Sequence, residues 1–232
     1  MSARERNRAA GRIGRPVTAL AVAILFLGTT SPVLAAEKIG STSLVIRRVT
    51  GEMEEKLRLL SLRDDVHRDE LITTATESAS RIRFVDGTEL ELGPEAQLKL
   101  DRFVYDDDPA RGQFILSAAR GVFRFISGKL AKEAYAVNTP TVTIGVRGTT
   151  FACIVGKDGT TAVILESEDG VVVRHRSGEQ LTLRELGLAI VAYPDGRLTE
   201  PGPPPDWAVE RLKQLDALLG FRPVRVERDR DE

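Results

Sequence analysis

Arg81-Ile82-Arg83-Phe84-Val85-Asp86-Gly87-Thr88-Glu89-Leu90-Glu91-Leu92 decides the fold class. Ile82 and Phe84 fall on one side of the chain and Arg81 and Arg83 on the other. Beyond Asp86-Gly87 the alternation resumes, with Leu90 and Leu92 opposed to Glu89 and Glu91. A period of two gives each face of a pleated strand one residue type, and Asp-Gly accepts the dihedrals of a tight reversal. The stretch reads as a half-buried β-hairpin.

Working outward, Leu98 and Leu100 alternate with Lys99 and Asp101 after the break at Gly93-Pro94, which continues the meander. Phe114 and Leu116 alternate again, and Gly121 separates them from a second strand, Val122 to Ile126, that ends at Ser127-Gly128. Tyr135 to Val137 leads to Thr139-Pro140, after which Val142, Ile144 and Val146 oppose Thr141 and Thr143. Phe151 to Val155 and Thr161 to Leu165 flank Lys157-Asp158-Gly159-Thr160 as a further hairpin. Short apolar segments follow at Val171 to Val173, Leu181 to Leu183 and Leu188 to Val191. Strands at such close spacing predict an all-β single domain of short antiparallel strands and tight turns, either a β-sandwich or a short β-solenoid.

Two segments depart from this rhythm. Glu52 to Leu62 holds Met53, Leu57 and Leu60 without Gly or Pro, which allows a helical turn. Residues 199–205 form a Pro-rich linker, and Asp206 is placed to cap a helix over 206–220 whose Ala208, Leu212, Leu215 and Leu219 share one face before Gly220. The tail 221–232 is charged, and the all-β domain is taken as residues 36–198.

The N-terminus reads as an address. Arg4, Arg6, Arg8, Arg12 and Arg15 precede an uncharged apolar run from Val17 to Gly28, and Pro32 and Val33-Leu34-Ala35-Ala36 follow. That order is the one a secretory signal peptide shows, here residues 1–35. Twelve helical residues rise about 18 Å against a hydrocarbon core of about 30 Å, so a retained anchor is the weaker reading. The expectation is a periplasmic or secreted protein with no membrane span after cleavage.

Composition narrows the function. Of 33 basic and 34 acidic side chains, five and one lie before residue 36, which leaves 28 against 33. An acidic domain of that kind is no nucleic-acid binder. The single cysteine, Cys153, excludes an internal disulfide and, set in Phe151-Ala152-Cys153-Ile154-Val155, reads as a small buried hydrophobe. His67 and His175 sit among charged neighbours and read as solvated. Asp106-Asp107-Asp108-Pro109 lacks the spacing of a calcium loop, and strand alternation already accounts for Glu89 and Glu91. Neither a nucleophile elbow nor a zinc-protease motif nor a phosphate loop is present. No enzyme, cofactor or metal is expected.

Thr139-Pro140-Thr141-Val142-Thr143-Ile144-Gly145-Val146-Arg147-Gly148-Thr149-Thr150-Phe151 resembles the TPTATIGIRGT signature of the FecR-type domain family. Three further blocks agree in order: the turn Asp86-Gly87-Thr88, the run Gly121 to Lys129, and Gly159-Thr160-Thr161. The resemblance spans about residues 40 to 195. It implies an all-β periplasmic domain whose best-known members sense a loaded outer-membrane receptor and signal through an inner-membrane helix to a sigma factor. Only about sixteen residues precede the apolar run, too few for the cytoplasmic sigma-binding part of such regulators. The expectation is therefore a non-catalytic interaction or sensory module whose partner is another envelope protein. The alternative is a ligand-binding module for a glycan, a peptidoglycan fragment or a small anion, using Tyr105, Tyr135, Trp207 or Arg147.

The site residues singled out are Asp86, Gly87, Thr139, Pro140, Gly145, Arg147, Gly148 and Thr149. Gly145 and Gly148 flank Arg147, and glycine inside a strand marks a bulge or a close backbone approach. Arg147 is expected to turn inward and bond turn carbonyls or a carboxylate, with Asp86 the leading partner. An anionic ligand on Arg147 is the competing role.

Overall fold

The computed structural model describes residues 37–104, 112–167 and 169–220. The expected signal segment, Tyr105, the acidic turn at 106–109 and the charged tail lie outside them. In chain order the elements are β1 (Lys38–Ile46), β2 (Val49–Met53), β3 (Lys56–Leu59), β4 (Asp65–His67), β5 (Leu71–Thr74), β6 (Ala79–Phe84), β7 (Glu89–Leu92) and β8 (Gln97–Val104). Then come β9 (Gln113–Ile126), β10 (Tyr135–Asn138), β11 (Val142–Val146), β12 (Thr150–Val155), β13 (Thr161–Leu165), β14 (Val171–His175), β15 (Gln180–Leu183), β16 (Ala189–Ala192) and α1 (Asp206–Leu219). Among the described residues the fold is all-β, as the alternation predicts, with one short C-terminal α-helix and a single 3-10 turn at Lys132–Ala134.

The strands form two layers that share β9. One runs β4-β1-β6-β7-β9-β12-β13-β16. The other runs β3-β2-β5-β8-β9-β10-β11-β14-β15, and β9 with β10 is its parallel pair. The first part of β9 pairs with β8 and β10, and from Gly121 onward it pairs with β7 and β12. Inward residues of both layers make one core, and Phe114 meets Phe84 edge-on at 4.7 Å between ring centroids. A two-layer sandwich, rather than a solenoid, is the result.

Side-chain parity explains the crossing. Phe114, Leu116 and Ala118 face the core on even numbers, whereas Phe123 and Phe125 do so on odd ones. An odd step is needed between the two sets, and residues 119–121 supply it. Gly121 has φ +110°, and a Cβ there would stand 2.4 Å from Ala96 Cα. Only glycine accepts both conditions. The residue that the sequence marks as a break between strands is thus the bend of a single 14-residue strand.

Two further expectations are corrected. Glu52 to Leu62 forms no helical turn: β2 and β3 make a hairpin whose turn residues, Glu54 and Glu55, have φ 49° and 62°, the left-handed geometry of the tightest β-turns. The Pro-rich stretch is held along β16, Leu198 bridging to Ala192 and Gly202 to Ala189. Helix α1 buries Ala208 and Leu215 and half-buries Leu212 and Leu219 against Val122, Ile154, Ile164 and Val191 on the outer side of the β12 layer. Its N-cap is Pro205 without a side-chain bond, so Asp206 opens the helix rather than capping it. Gly220, at φ 70°, closes it by donating its N–H to the Asp216 carbonyl. No helix among the described residues is long and apolar enough to cross a membrane.

Candidate functional site

Asp86 is fully buried in the β6–β7 turn, where Gly87 supplies the positive φ of 86°. Its Oδ1 accepts the Thr88 N–H at 3.0 Å, and its Oδ2 accepts the Thr88 hydroxyl at 2.6 Å and the Tyr135 hydroxyl at 2.9 Å. The Asp86 carbonyl accepts from Lys129 N–H, Thr88 Oγ1 from Gly128 N–H, and Tyr135 Oη from Leu130 N–H. One carboxylate therefore ties the hairpin to the loop after β9 and to the start of β10. Burial, with the Asp86 charge beside it, pushes the Tyr135 hydroxyl up to about 12.

The threonines of the 139–151 stretch act inside the fold. Thr139 Oγ1 accepts the N–H groups of Val142 and Thr141 at 3.0 and 3.3 Å and the Thr161 hydroxyl at 3.1 Å, while Thr141 donates to Thr161 at 2.8 Å. This buried knot fixes the turn before β11, with Pro140 on its exposed side. Thr149 Oγ1 meets Ser167 Oγ at 3.0 Å and pins the turn between β11 and β12 to the segment after β13. Gly148, at φ 78°, makes that turn.

The outward face of β11 is different. Val142, Ile144 and Val146 enter the core, so Thr143, Gly145 and Arg147 face solvent. Gly145 lies in register between Ala136 and Val172, and this row of small side chains floors a shallow depression of about 340 Å³. Arg147 and Arg174 stand at its two ends, with Glu133 also on its rim. Gly145 makes no bulge: the ladder is regular through it, and a Cβ would meet nothing closer than 3.9 Å.

Arg147 is exposed and bonds neither Asp86 nor a turn carbonyl among the described residues. The buried guanidinium is Arg124, on the outer face of β9 beneath α1, at 1% exposure. Its Nε and Nη2 donate to Glu166 at 2.6 and 2.9 Å, and its Nη1 to Glu91 at 2.9 Å. Burial opposes its charge, but the hydrogen bonds and charge of Glu166, with bonds from Asp216 and Glu91, outweigh that and raise its pKa above the ordinary value. Glu91 is buried for the same reason, against the alternation that predicted it exposed. A signal was present in the sequence: Arg124 stands in the apolar run Val122 to Ile126, and an arginine in such a run is either paired or at an edge.

The remaining candidates separate. His175 is buried, its Nδ1 2.8 Å from Ser177 Oγ and its Nε2 3.1 Å from the Tyr193 carbonyl, which corrects the solvated reading. His67 is half-buried, with Nδ1 3.6 Å from the buried Glu70. Cys153 is buried as expected, and burial pushes its thiol up to about 12. Trp207 is exposed, Tyr135 lies in the core, and the described residues hold no group of three acids, cysteines or histidines suited to a metal.

Comparison with known proteins matches residues 70–172 to the family described as FecR protein. No curated protein matches the chain. Two crystal structures of a proposed anti-sigma factor from Parabacteroides distasonis are similar, at 16% identity and TM-scores of 0.46 and 0.45. Each comparison covers 57% of this chain and 60% of the other. Residues 70–172 hold the Asp86 turn, the Thr139 knot and the outward face of β11, and it is over that span that the chain matches the FecR protein family.

Proposed function

We propose that the chain is a non-catalytic interaction or sensory module of the cell envelope, working in the periplasm after export by its N-terminal segment. The outward face of β11 carries this reading. Among the described residues nothing crowds Gly145, where a Cβ would meet Val172 at 3.9 Å, and glycine in a strand costs about 0.5–1 kcal/mol relative to alanine. Its value lies outside, where a partner's backbone can approach closely between Arg147 and Arg174. The partner is another envelope protein.

The test is a pull-down with crosslinking from envelope extract, comparing the mature protein with the double variant Gly145→Val/Arg147→Glu. Retained melting with loss of the captured partner supports the reading; unchanged capture overturns it. A second reading rests on the two guanidiniums: a carboxylate-bearing peptidoglycan fragment would bridge them. A thermal-shift screen with such fragments, sensitive to the same double variant, separates a small ligand from a protein.

A further inference from the structure

The far edge of the same layer holds a second surface. Among the described residues β3 pairs with β2 alone, so one side of it is open. Its register is Met53↔Lys56, Glu52↔Leu57, Gly51↔Arg58 and Thr50↔Leu59, and the Leu60 N–H donates to the Val49 carbonyl at 2.9 Å. Hydrogen-bonded and non-bonded pairs alternate along an antiparallel ladder. Since Leu60 bonds toward β2, so does Arg58, and Leu57 and Leu59 point their N–H and C=O groups to the open side.

The side chains of these two residues are exposed as well. Leu57 is 63% and Leu59 66% exposed, and Leu62, just beyond, is 58% exposed. These three make half of the large apolar side chains that the described residues leave exposed. Natural sheets blunt such an edge with charge, proline, a bulge or a short strand, and β3 uses two of these: it is four residues long and alternates its leucines with Lys56 and Arg58. Here the exposed face of β3 is leucine, and Arg48 borders it across a depression of about 330 Å³. Its other face carries the exposed Lys56 and Arg58, whose side chain is 39% exposed and donates from Nε and Nη2 to Glu70 Oε1 and from Nη2 to the Asp65 carbonyl.

We propose that β3 accepts an added strand from a protein partner: an extended segment whose side chains alternate apolar with acidic. Backbone groups of Leu57 and Leu59 supply the ladder, the leucines take the apolar side chains, and Lys56 faces the acidic ones, with the Glu70-paired Arg58 next to it. A second copy of this chain fits poorly, because antiparallel pairing about Leu57 would set Lys56 of one copy against Arg58 of the other. The surface is separate from the Gly145 depression, with five strands between β3 and β11, so this proposal stands or falls independently of the function proposed above.

The probe is a short capped peptide of alternating Glu and Val, with alternating Lys and Val as control. Binding is followed by amide hydrogen exchange at Leu57 and Leu59, fast in the free protein and slowed by the Glu-Val peptide. Leu59→Pro removes a donor that β2 does not use, so the hairpin keeps its ladder while the added strand loses a bond. Affinity is expected to fall at least about tenfold. Should Leu59→Pro disturb folding, Leu57→Lys/Leu59→Lys applies the same test by placing charge on the edge. The proposal is overturned by protection of both amides in the free protein, by equal binding of the Lys-Val peptide, by absence of binding at millimolar peptide, or by a wild-type dimer that the edge variants dissociate.

Discussion

Arg124 Nη2 donates to Asp216 Oδ1 at 2.7 Å, joining β9 to α1 across 92 residues of sequence. The same guanidinium is held by Glu91 and Glu166, and Arg81 bonds the second oxygen of Glu91 at 2.7 Å. Helix α1 buries few apolar side chains, so this network is a large part of what fixes it to the sheet. Arg124→Met leaves the buried Glu91, with Arg81 as its remaining partner, facing the partly buried Glu166 and Asp216, and is expected to cost about 2–4 kcal/mol in urea unfolding. Asp216→Asn is expected to cost about 1–3 kcal/mol and to raise hydrogen exchange in α1 before the rest of the domain. Equal exchange across helix and sheet would show that the network does not hold the helix.

Two glycines make opposite predictions. Gly121→Ala places a Cβ against the Ala96 backbone at a positive φ and is expected to destabilise the domain by more than about 2 kcal/mol, or to prevent folding. Gly145→Ala meets open space in regular strand geometry and is expected to leave stability unchanged or raise it by up to about 1 kcal/mol. Thermal melts of the two variants decide the matter. A destabilised Gly145→Ala would mean that the residue serves the fold and would remove the argument for its role at the surface.

Alternation carried most of the fold. The Arg81 to Leu92 hairpin and the β12–β13 hairpin are visible because each strand has one wet and one dry face, or a continuous apolar run bounded by a turn. The β2–β3 hairpin hides because its turn is Glu54-Glu55, without glycine or asparagine, and because the alternation Lys56-Leu57-Arg58-Leu59 runs in the reverse of the usual sense, with the leucines on the outer face. The site was half legible. The stretch at residues 139–151 is identifiable from sequence, but which of its residues face outward depends on where β11 enters the core, and Arg147 falls on the solvent side. Arg124 and Asp216 meet only through the tertiary fold, so no local pattern pairs them.

Cys153 lies at the centre of β12 with its thiol raised to about 12 by burial. The native protein is expected to resist a thiol reagent at pH 8 and to react stoichiometrically once unfolded in guanidinium. Rapid labelling without denaturant would show that β12 opens locally.

Tyr135 gives the domain an alkaline limit. Its hydroxyl ordinarily titrates near 10.0 and in the fold near 12, since burial and the neighbouring Asp86 charge both disfavour the phenolate. The raised value means that the native state holds the proton where the unfolded chain releases it. The stabilisation is complete below pH 10 and is lost as the pH rises toward 12. Tyr135→Phe also leaves the Leu130 N–H without its acceptor and Asp86 with one donor fewer, an expected cost of about 1–3 kcal/mol at pH 8. The stability gap between wild type and Tyr135→Phe should therefore narrow from pH 8 to pH 11. Cys153 titrates over an overlapping range, so both proteins are compared in a Cys153→Ala background. A gap that stays constant or widens would show that Tyr135 is not held protonated by the Asp86 turn.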